Sequence, residues 1–346
     1  MSTRYNPAEI IEITANIFAK AGLDDPKART VAEILVEADL TGHTTHGLAL
    51  APWYLESIEQ GVMTKSGEPA IISDRGASIT WDGNRLPGAW LTVTALDLAI
   101  ERSAQFGTAV VAIGNSHHIG SLSAYLTRAT DKGLMAMVAS SSPSAATVAP
   151  FGGTKGVFTP DPLAAGIPTS GDPILVDISA SITTNNMTSR LQAEGKRFEH
   201  PWLMEADGTA TTDPQALSRG GTVLPTGGLD HGQKGYGMAL LVESLTQGLS
   251  GIGRADEIKG TNASIYLQVF DPQAFAGHDA FVRQTDWLAD ACRTNPPRPG
   301  VERVRLPGDR AGQRKRDALA NGLDLHPGII DKLRPWAERY GEALPV

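Results

Sequence analysis

The stretch "TAVVAIGNSHHIGSLSAY", residues 108–125, contains the alternation of elements that decides the fold class. Its first seven residues are small or β-branched and predict a buried strand. The polar, glycine-containing "NSHHIG" predicts a turn, and Ser121 is suited to cap a following helix. A strand that leads through such a turn into a helix is typical of α/β proteins. Free backbone N–H groups at the start of that helix favour an anion.

Strands and helices alternate on both sides of this stretch. Short apolar runs predict further strands at 77–83, 134–142, 163–168, 173–179 and 264–271. Helical spacing of apolar residues predicts helices near 88–105, 121–132, 182–195, 233–250 and 273–292. The chain is therefore predicted to be α/β, and it contains no repeat of fixed period.

The first 42 residues predict two helices. Asn6-Pro7 and Asp25-Pro26 each provide a capping side chain and a first-turn proline ahead of an apolar helix face. Gly22 and Gly42 are expected to end these two helices.

Two more helices are predicted near the ends of the chain. Thr45 is expected to cap a helix that runs to about Gly61, which places His46 in its first turn. "HPGIIDKLRPWAERYG", residues 326–341, predicts a last helix with Pro327 in its first turn.

Composition and charge narrow the class of protein. The 346 residues, of which 41% are hydrophobic and 20% charged, can bury a sizeable core in one large domain or two to three lobes. The net charge of −8 disfavours a general nucleic-acid binder, which needs a basic surface. The single cysteine, Cys292, permits no intrachain disulfide and fits a reducing cytosol. No secretory signal or bilayer-spanning run is found, so a cytoplasmic protein without a membrane partner is expected.

Four histidines could hold a metal, transfer a proton or fill a core. His43 and His46 are three residues apart, but the metalloprotease spacing of four is missing and only Asp39 adds an acidic ligand nearby. We therefore expect no metal site. At a helix start His46 would be biased towards its neutral form, which suits general acid–base catalysis. Spacing alone nevertheless favours a packing or capping role for it.

Common nucleotide-binding motifs are absent from the sequence. Neither G-x-G-x-x-G after a strand nor G-x-x-x-x-G-K-[ST] occurs. The turn at 115–121 and the "KGYG" at 234–237 both lie at predicted helix starts. Together they suggest a ligand that carries phosphate.

Several longer motifs, taken in order, identify a family. They are "ADLTGHTTHGLALAPWY" (38–54), "WDGNRLPGAW" (81–90), "AIGNSHHIGSLSAY" (112–125), "DPLAAGIP" (161–168), "LVDISAS" (175–181), "ADGTATTDP" (206–214), "LPTGG" (224–228) and "KGYGMALLVESLTQGLSG" (234–251). With these motifs the chain resembles the malate/L-lactate dehydrogenase family, which is distinct from the Rossmann-type dehydrogenases. The resemblance implies a small-molecule substrate, NAD or NADP as cofactor, and a homodimer. Members reduce 2-keto acids or the C=N bond of cyclic imino acids.

The resemblance also implies a fold and a domain order. The fold would be a non-Rossmann NAD(P)-binding domain with a mixed or largely antiparallel sheet, plus an N-terminal helical region that packs with C-terminal helices. We assign 1–75 to the N-terminal region with the catalytic histidine, joined by 310–346. A connecting α/β region would follow at 76–120, and the NAD(P)-binding domain at 121–309.

The family's site residues map onto particular positions of this chain. His46 matches the proton donor and acceptor, Thr45 the hydroxyl residue before it, and His118 a histidine near the nicotinamide. The resemblance assigns the cofactor to His118, Gly120, Ser121, Asp177, Ile178, Ser179, Ala180, Ser181, Ile182, Thr183, Gln233, Lys234, Gly308, Asp309 and Arg310. Arg190 and Arg310 are candidates for a phosphate contact.

The chain departs from the family where the substrate is expected. Leu50 replaces an arginine four residues after the catalytic histidine, which would bind a substrate carboxylate. Asp161 replaces the asparagine of a "T-N-P" motif. The main hypothesis is therefore a 2-keto acid/2-hydroxy acid dehydrogenase, with cyclic or N-alkyl imino acid reduction as the alternative. A non-catalytic NAD(P)-binding module is a hypothesis of another class.

Overall fold

The computed structural model describes residues 4–345 and contains eleven α-helices and twelve strands within that range. The helices are α1 Pro7–Lys20, α2 Asp25–Leu40, α3 Ala51–Glu59, α4 Gly88–Phe106, α5 Thr127–Thr130, α6 Asn185–Ala193, α7 Gly228–His231, α8 Gln233–Glu243, α9 His278–Arg293, α10 Asp309–Asn321 and α11 Ile329–Arg339. The strands are β1 Arg4–Tyr5, β2 Ala70–Asp74, β3 Ser78–Asp82, β4 Thr108–Ser116, β5 Met135–Ser141, β6 Pro162–Ile167, β7 Ile174–Ser179, β8 Leu203–Met204, β9 Ala210–Thr211, β10 Thr222–Val223, β11 Ala263–Phe270 and β12 Leu323–Asp324.

A seven-stranded sheet with the order β2-β3-β4-β11-β5-β6-β7 forms the centre of the fold. Strands β3 and β4 run parallel and are joined by α4, whereas the other neighbouring pairs are antiparallel. The predicted mixed, largely antiparallel sheet is thus confirmed. One parallel pair does not create the strand crossovers that a doubly wound dinucleotide-binding sheet needs.

The N- and C-terminal segments pack together, as predicted. Strand β1 pairs with β12, and Arg4 forms an ion pair with Asp317 of α10. The largest apolar core joins residues of α1 to α4, the sheet and α11. No helix within residues 4–345 is long and apolar enough to cross a bilayer. The three domain boundaries stay predictions.

The predicted helix start at Thr45 is wrong. A 3₁₀ turn spans Leu48–Leu50 and α3 begins only at Ala51, so His46 lies in the loop before the turn. The backbone N–H of Leu48 donates to the Asp39 carboxylate at 2.7 Å, so the helical turn takes its cap from α2 and not from Thr45. Pro52 then suits the first turn of α3.

Of the other predicted helix boundaries, some are confirmed and others are wrong. Asn6 caps α1 as predicted, but the residue that precedes α2 is Asp24 and not Asp25. Pro327 lies before α11, because Gly328 has a φ of 83° that no right-handed helix accepts. The helix predicted at 121–132 is two short pieces, a 3₁₀ turn at Leu122–Tyr125 and α5.

Asp161 replaces the asparagine of the "T-N-P" motif, and the structure shows how the fold accommodates this replacement. Its φ is 46°, in the region that asparagine and aspartate tolerate best, and its carboxyl group is fully buried. Burial, with the Glu243 charge adding to it, raises the pKa of Asp161 to about 8. The side chain is therefore protonated near neutral pH, and in that state it has the shape and polarity of asparagine.

We expect Asp161→Asn to stabilise the fold increasingly as pH rises. A carboxyl group whose pKa is raised in the folded state contributes stability below its unfolded pKa and loses it as pH rises through the folded pKa. With a folded pKa of about 8, the gain should grow by roughly 2–3 kcal/mol between pH 5 and pH 7. Urea unfolding at both pH values measures it.

The control for this prediction is Asp290→Asn, which changes an exposed carboxylate on α9. Its effect on unfolding should be the same at both pH values. A gain for Asp161→Asn that does not depend on pH would show that this carboxyl group is ionised in the fold.

Candidate active site

The His46 segment is held against the end of α2. Asp39 is 5% exposed and accepts the Leu48 N–H with one carboxylate oxygen. Gly47 packs directly on that carboxylate, and a β-carbon at this position would overlap it. Burial raises the pKa of Asp39 to about 7, although the Leu48 hydrogen bond and the Arg190 charge oppose the rise. The acid thus fixes the position of the peptide that carries His46.

The His46 ring lies between a hydroxyl group and an amide. Its Nδ1 is 2.9 Å from Thr45 Oγ1, and its Nε2 is 3.4 Å from Asn186 Nδ2 on α6. Asn186 Nδ2 also donates to the Thr45 carbonyl at 3.2 Å. Because an amide nitrogen only donates, this arrangement leaves Nε2 unprotonated and lets Nδ1 donate to Thr45. Nε2 is the ring atom that can take up a proton.

Burial keeps the His46 ring neutral. Burial, together with the nearby charges of His43 and Arg190, lowers the pKa of His46 to about 4. The expected bias towards the neutral form is therefore present, but its cause is desolvation and not a helix dipole, since His46 is outside any helix. A neutral imidazole with an unprotonated Nε2 can act as a base.

His118 lies beside His46 with the opposite tautomer. The two ring centroids are 6.1 Å apart. The Tyr54 hydroxyl is 2.7 Å and the Gly120 N–H 3.3 Å from His118 Nδ1. An N–H can only donate, so Nδ1 is the acceptor and Nε2 carries the proton. Burial lowers the pKa of His118 to about 3, so its ring is a neutral hydrogen-bond donor.

The adjacent His117 has a packing role. It is fully buried against Trp53 and Tyr54, and neither ring nitrogen has a hydrogen-bond partner among the described residues. The second histidine stretch thus contains one core residue and one residue that faces His46.

A cavity of about 580 Å³ brings together several residues assigned to the cofactor. Asp177 and Ile178 from β7 line it together with Gly308 and Arg310. The Asp177 carboxylate accepts the Ser123 N–H at 3.1 Å, which ties β7 to the turn that follows His118. Burial raises the pKa of Asp177, and the His43 charge and the Ser123 hydrogen bonds oppose the rise. Such a volume is typical of small-molecule sites.

The start of α8 packs against Ala180, directly after the last residue of β7. Gly235 approaches the Ala180 carbonyl so closely that a β-carbon would overlap it, and the Thr226 N–H donates to the same carbonyl at 2.7 Å. The exposed side chains of Gln233 and Lys234 are thereby placed next to the turn that follows β7.

Some predicted cofactor residues are buried or already paired. Ala180, Ser181 and Thr183 are at most 8% exposed, so little of their side chains can reach a ligand. The Asp309 carboxylate accepts from Arg293 at 2.8 Å and from the Leu306 N–H at 2.9 Å, which stabilises the start of α10. Ser121 is also buried, and its hydroxyl group pairs with Ser123.

The amino-acid sequence does not indicate the role of α6. Asn186 contacts His46 across 140 residues of sequence, and Arg190 contacts Thr44 across 146. The i, i+4 spacing puts both side chains on one helix face, but nothing in the sequence indicates which loop that face meets. Within residues 4–345, no group of three acidic, histidine or cysteine side chains is arranged to hold a metal.

The sequence profile of one family, described as malate/L-lactate dehydrogenase, matches residues 5–334. The chain belongs to the malate/L-lactate dehydrogenase family. The chain is 30% identical to the (2R)-3-sulfolactate dehydrogenase (NADP(+)) of Chromohalobacter salexigens, and the match covers 95% of this chain and 96% of the relative. This chain is accordingly an NAD(P)-dependent oxidoreductase of that family.

Two solved structures share the fold of this chain. The malate dehydrogenase of Entamoeba histolytica superposes with a TM-score of 0.94 at 22% identity, over 100% of both chains. The delta1-piperideine-2-carboxylate reductase of Pseudomonas syringae pvar. tomato gives a TM-score of 0.85 at 25% identity, over 97% of this chain and 100% of the other.

Proposed function

We propose that this protein transfers hydride between a nicotinamide cofactor and a small 2-keto acid/2-hydroxy acid pair, with His46 as proton donor and acceptor. The observation that carries the proposal is the half-buried His46 ring, which Thr45 holds with Nε2 unprotonated and whose centroid lies 6.1 Å from that of the His118 ring. A ring fixed on one side and free to exchange a proton on the other is what general acid–base catalysis requires.

The residues around the cavity fit a dinucleotide. The 580 Å³ cavity offers a carboxylate at Asp177 and an arginine at Arg310, and Lys234 adds a charge near the β7 turn. A second cavity, which also includes Gly308 and Arg310, is lined by Arg298, Arg303 and Arg305. Guanidinium and ammonium groups are the partners that cofactor phosphates need. The nicotinamide would supply the hydride itself.

The side chains of this protein would supply orientation and the proton. In oxidation, His46 Nε2 takes the proton of the substrate hydroxyl group, and the Thr45 hydroxyl stabilises the Nδ1–H of the imidazolium that results. In reduction the same nitrogen returns the proton. His118 Nε2–H donates a hydrogen bond to a carbonyl oxygen in the site, which stabilises negative charge there.

A substrate panel tests the proposal. 2-Keto acids, including sulfonated and dicarboxylic ones, and cyclic imino acids are mixed with NADH or NADPH, and absorbance of the reduced cofactor is followed. Turnover of one keto acid class supports the proposal, whereas turnover of cyclic imines alone supports the alternative. Saturable cofactor binding without any turnover would identify a binding module. The same assay reads the choice between NAD and NADP.

The pH dependence of the rate should differ between the two directions. With a His46 pKa of about 4, the protonated fraction falls about tenfold per pH unit above pH 5. Because reduction needs the imidazolium, its kcat/KM should fall steadily as pH rises from 5 to 8. Oxidation needs the neutral ring, so its kcat/KM should be flat over this range with respect to His46. Initial rates measured both ways check this, and a reduction rate independent of pH would contradict it.

We also propose a homodimer, on the basis of the family resemblance, and a place in the cytoplasm, on the basis of the single cysteine. Sedimentation equilibrium of the purified protein measures the oligomeric state.

A further inference from the structure

Arg190 has an unusual environment for a half-buried arginine. Its Nη1 donates to Thr44 Oγ1 at 2.9 Å and its Nη2 to the Thr44 carbonyl at 2.8 Å. Across residues 4–345 it forms no ion pair with an acidic side chain. A guanidinium has five N–H donors, so at least two remain for a ligand.

The position of Arg190 is set by α6. Asn186 lies one turn earlier on the same face and contacts both the Thr45 carbonyl and His46 Nε2. Side chains four residues apart on a helix have β-carbons about 6 Å from each other. The guanidinium charge is also close enough to lower the pKa of His46 and of Asp39. Arg190 is therefore the arginine next to the proton-transferring ring.

A carboxylate in the substrate would need such a partner. In a 2-keto acid the carboxylate carbon is bonded directly to the reacting carbon, so the group that binds it must lie close to His46. Leu50 cannot do this, because its apolar side chain is 7% exposed and belongs to the main core. His43, the other basic side chain of this loop, is hydrogen-bonded to Ser123 at 3.1 Å.

We propose that Arg190 binds the substrate carboxylate and so replaces the missing arginine at position 50. This inference rests on the proposed function. Arg190 would select substrates in which an anionic group is adjacent to the reacting carbonyl or imine carbon. Its two bonds to Thr44 orient the guanidinium, and its remaining N–H groups donate to the oxygens of the carboxylate.

The experiment compares a 2-keto acid with its uncharged methyl ester in three proteins: wild type, Arg190→Leu and Arg190→Lys. Wild type should favour the acid. In Arg190→Leu, KM for the acid should rise about 10- to 100-fold, as expected for a lost hydrogen-bonded charge pair, with a smaller change in kcat. KM for the ester should hardly change. Arg190→Lys should recover part of the preference, because it retains the charge but not the planar fork.

Controls separate this role from a structural one. Arg283→Leu removes an exposed arginine on α9 and should leave the acid-to-ester preference unchanged. Cofactor affinity should be equal in all four proteins. If Arg190→Leu lowers kcat/KM for acid and ester equally, or leaves both unchanged, Arg190 does not bind the carboxylate.

A binding measurement distinguishes failure of this inference from failure of the proposed function. Trp53 lies 5.3 Å from the His118 ring and reports on the site by its fluorescence. Oxamate, an unreactive keto-acid analogue, is titrated into the cofactor-saturated protein. Weaker oxamate binding in Arg190→Leu supports the inference even if no substrate of the panel reacts. Equal binding in wild type and variant overturns it, whatever the panel gives.

Discussion

Replacing His46 by alanine is expected to lower turnover by about two to four orders of magnitude, the usual cost of losing a positioned general acid or base. His46 Nε2 is the ring nitrogen that the contact with Asn186 leaves unprotonated, and the His46 ring lies beside that of His118. Cofactor affinity should hardly change, because the cavity proposed for the cofactor is lined by other residues. Steady-state kinetics and cofactor titration of the same preparation measure both quantities.

The control for His46→Ala is His278→Ala, which removes an exposed histidine at the start of α9. It should leave turnover unchanged. Near-normal turnover of His46→Ala would place the proton donor elsewhere, and His118 would then be the first residue to replace.

Gly47→Ala should lower turnover about a hundredfold although it removes no functional group, because displacing a reacting group by about 1 Å can cost that much. The new β-carbon would overlap the Asp39 carboxylate, so the peptide that carries His46 must shift or Asp39 must release Leu48. Kinetics and cofactor titration again separate the effect on turnover from that on binding.

Gly248→Ala is the matched control for Gly47→Ala. Gly248 is helical, and an added β-carbon would meet its nearest neighbour at 3.8 Å. This variant should keep wild-type turnover. If Gly47→Ala does so too, the Asp39 contact is not what positions His46.

The elements that the sequence predicted correctly depend on local signals. Asn6 and the apolar spacing after it define α1, and the small and β-branched residues of 108–116 define β4. The helix expected at Thr45 failed because a residue nine positions away provides the cap. Threonine is a residue type that can cap a helix, but the Asp39 carboxylate at the end of α2 accepts the N–H of this helical turn instead.

Only those site residues that lie in sequence motifs could be predicted. Two separate motifs identify His46 and His118, and the structure brings their rings together. The contribution of α6 depends on contacts of Asn186 and Arg190 across more than 100 residues, which neither spacing nor composition encodes. The sequence suggests Arg190 as a candidate for a phosphate contact, but its place beside Thr44 follows from tertiary packing alone.

The pairing of the two ends of the chain has a consequence for biosynthesis. Arg4 meets Asp317 across 313 residues, and the main core includes both Ile10 and Ala337. A growing polypeptide exposes the apolar faces of α1 and α2 on the ribosome long before α11 exists to cover them. Contacts so distant in sequence slow folding and lengthen the time in which nascent chains can aggregate. Because the His46 loop lies between helices that pack against α11, these apolar faces stay uncovered until α11 has been synthesised.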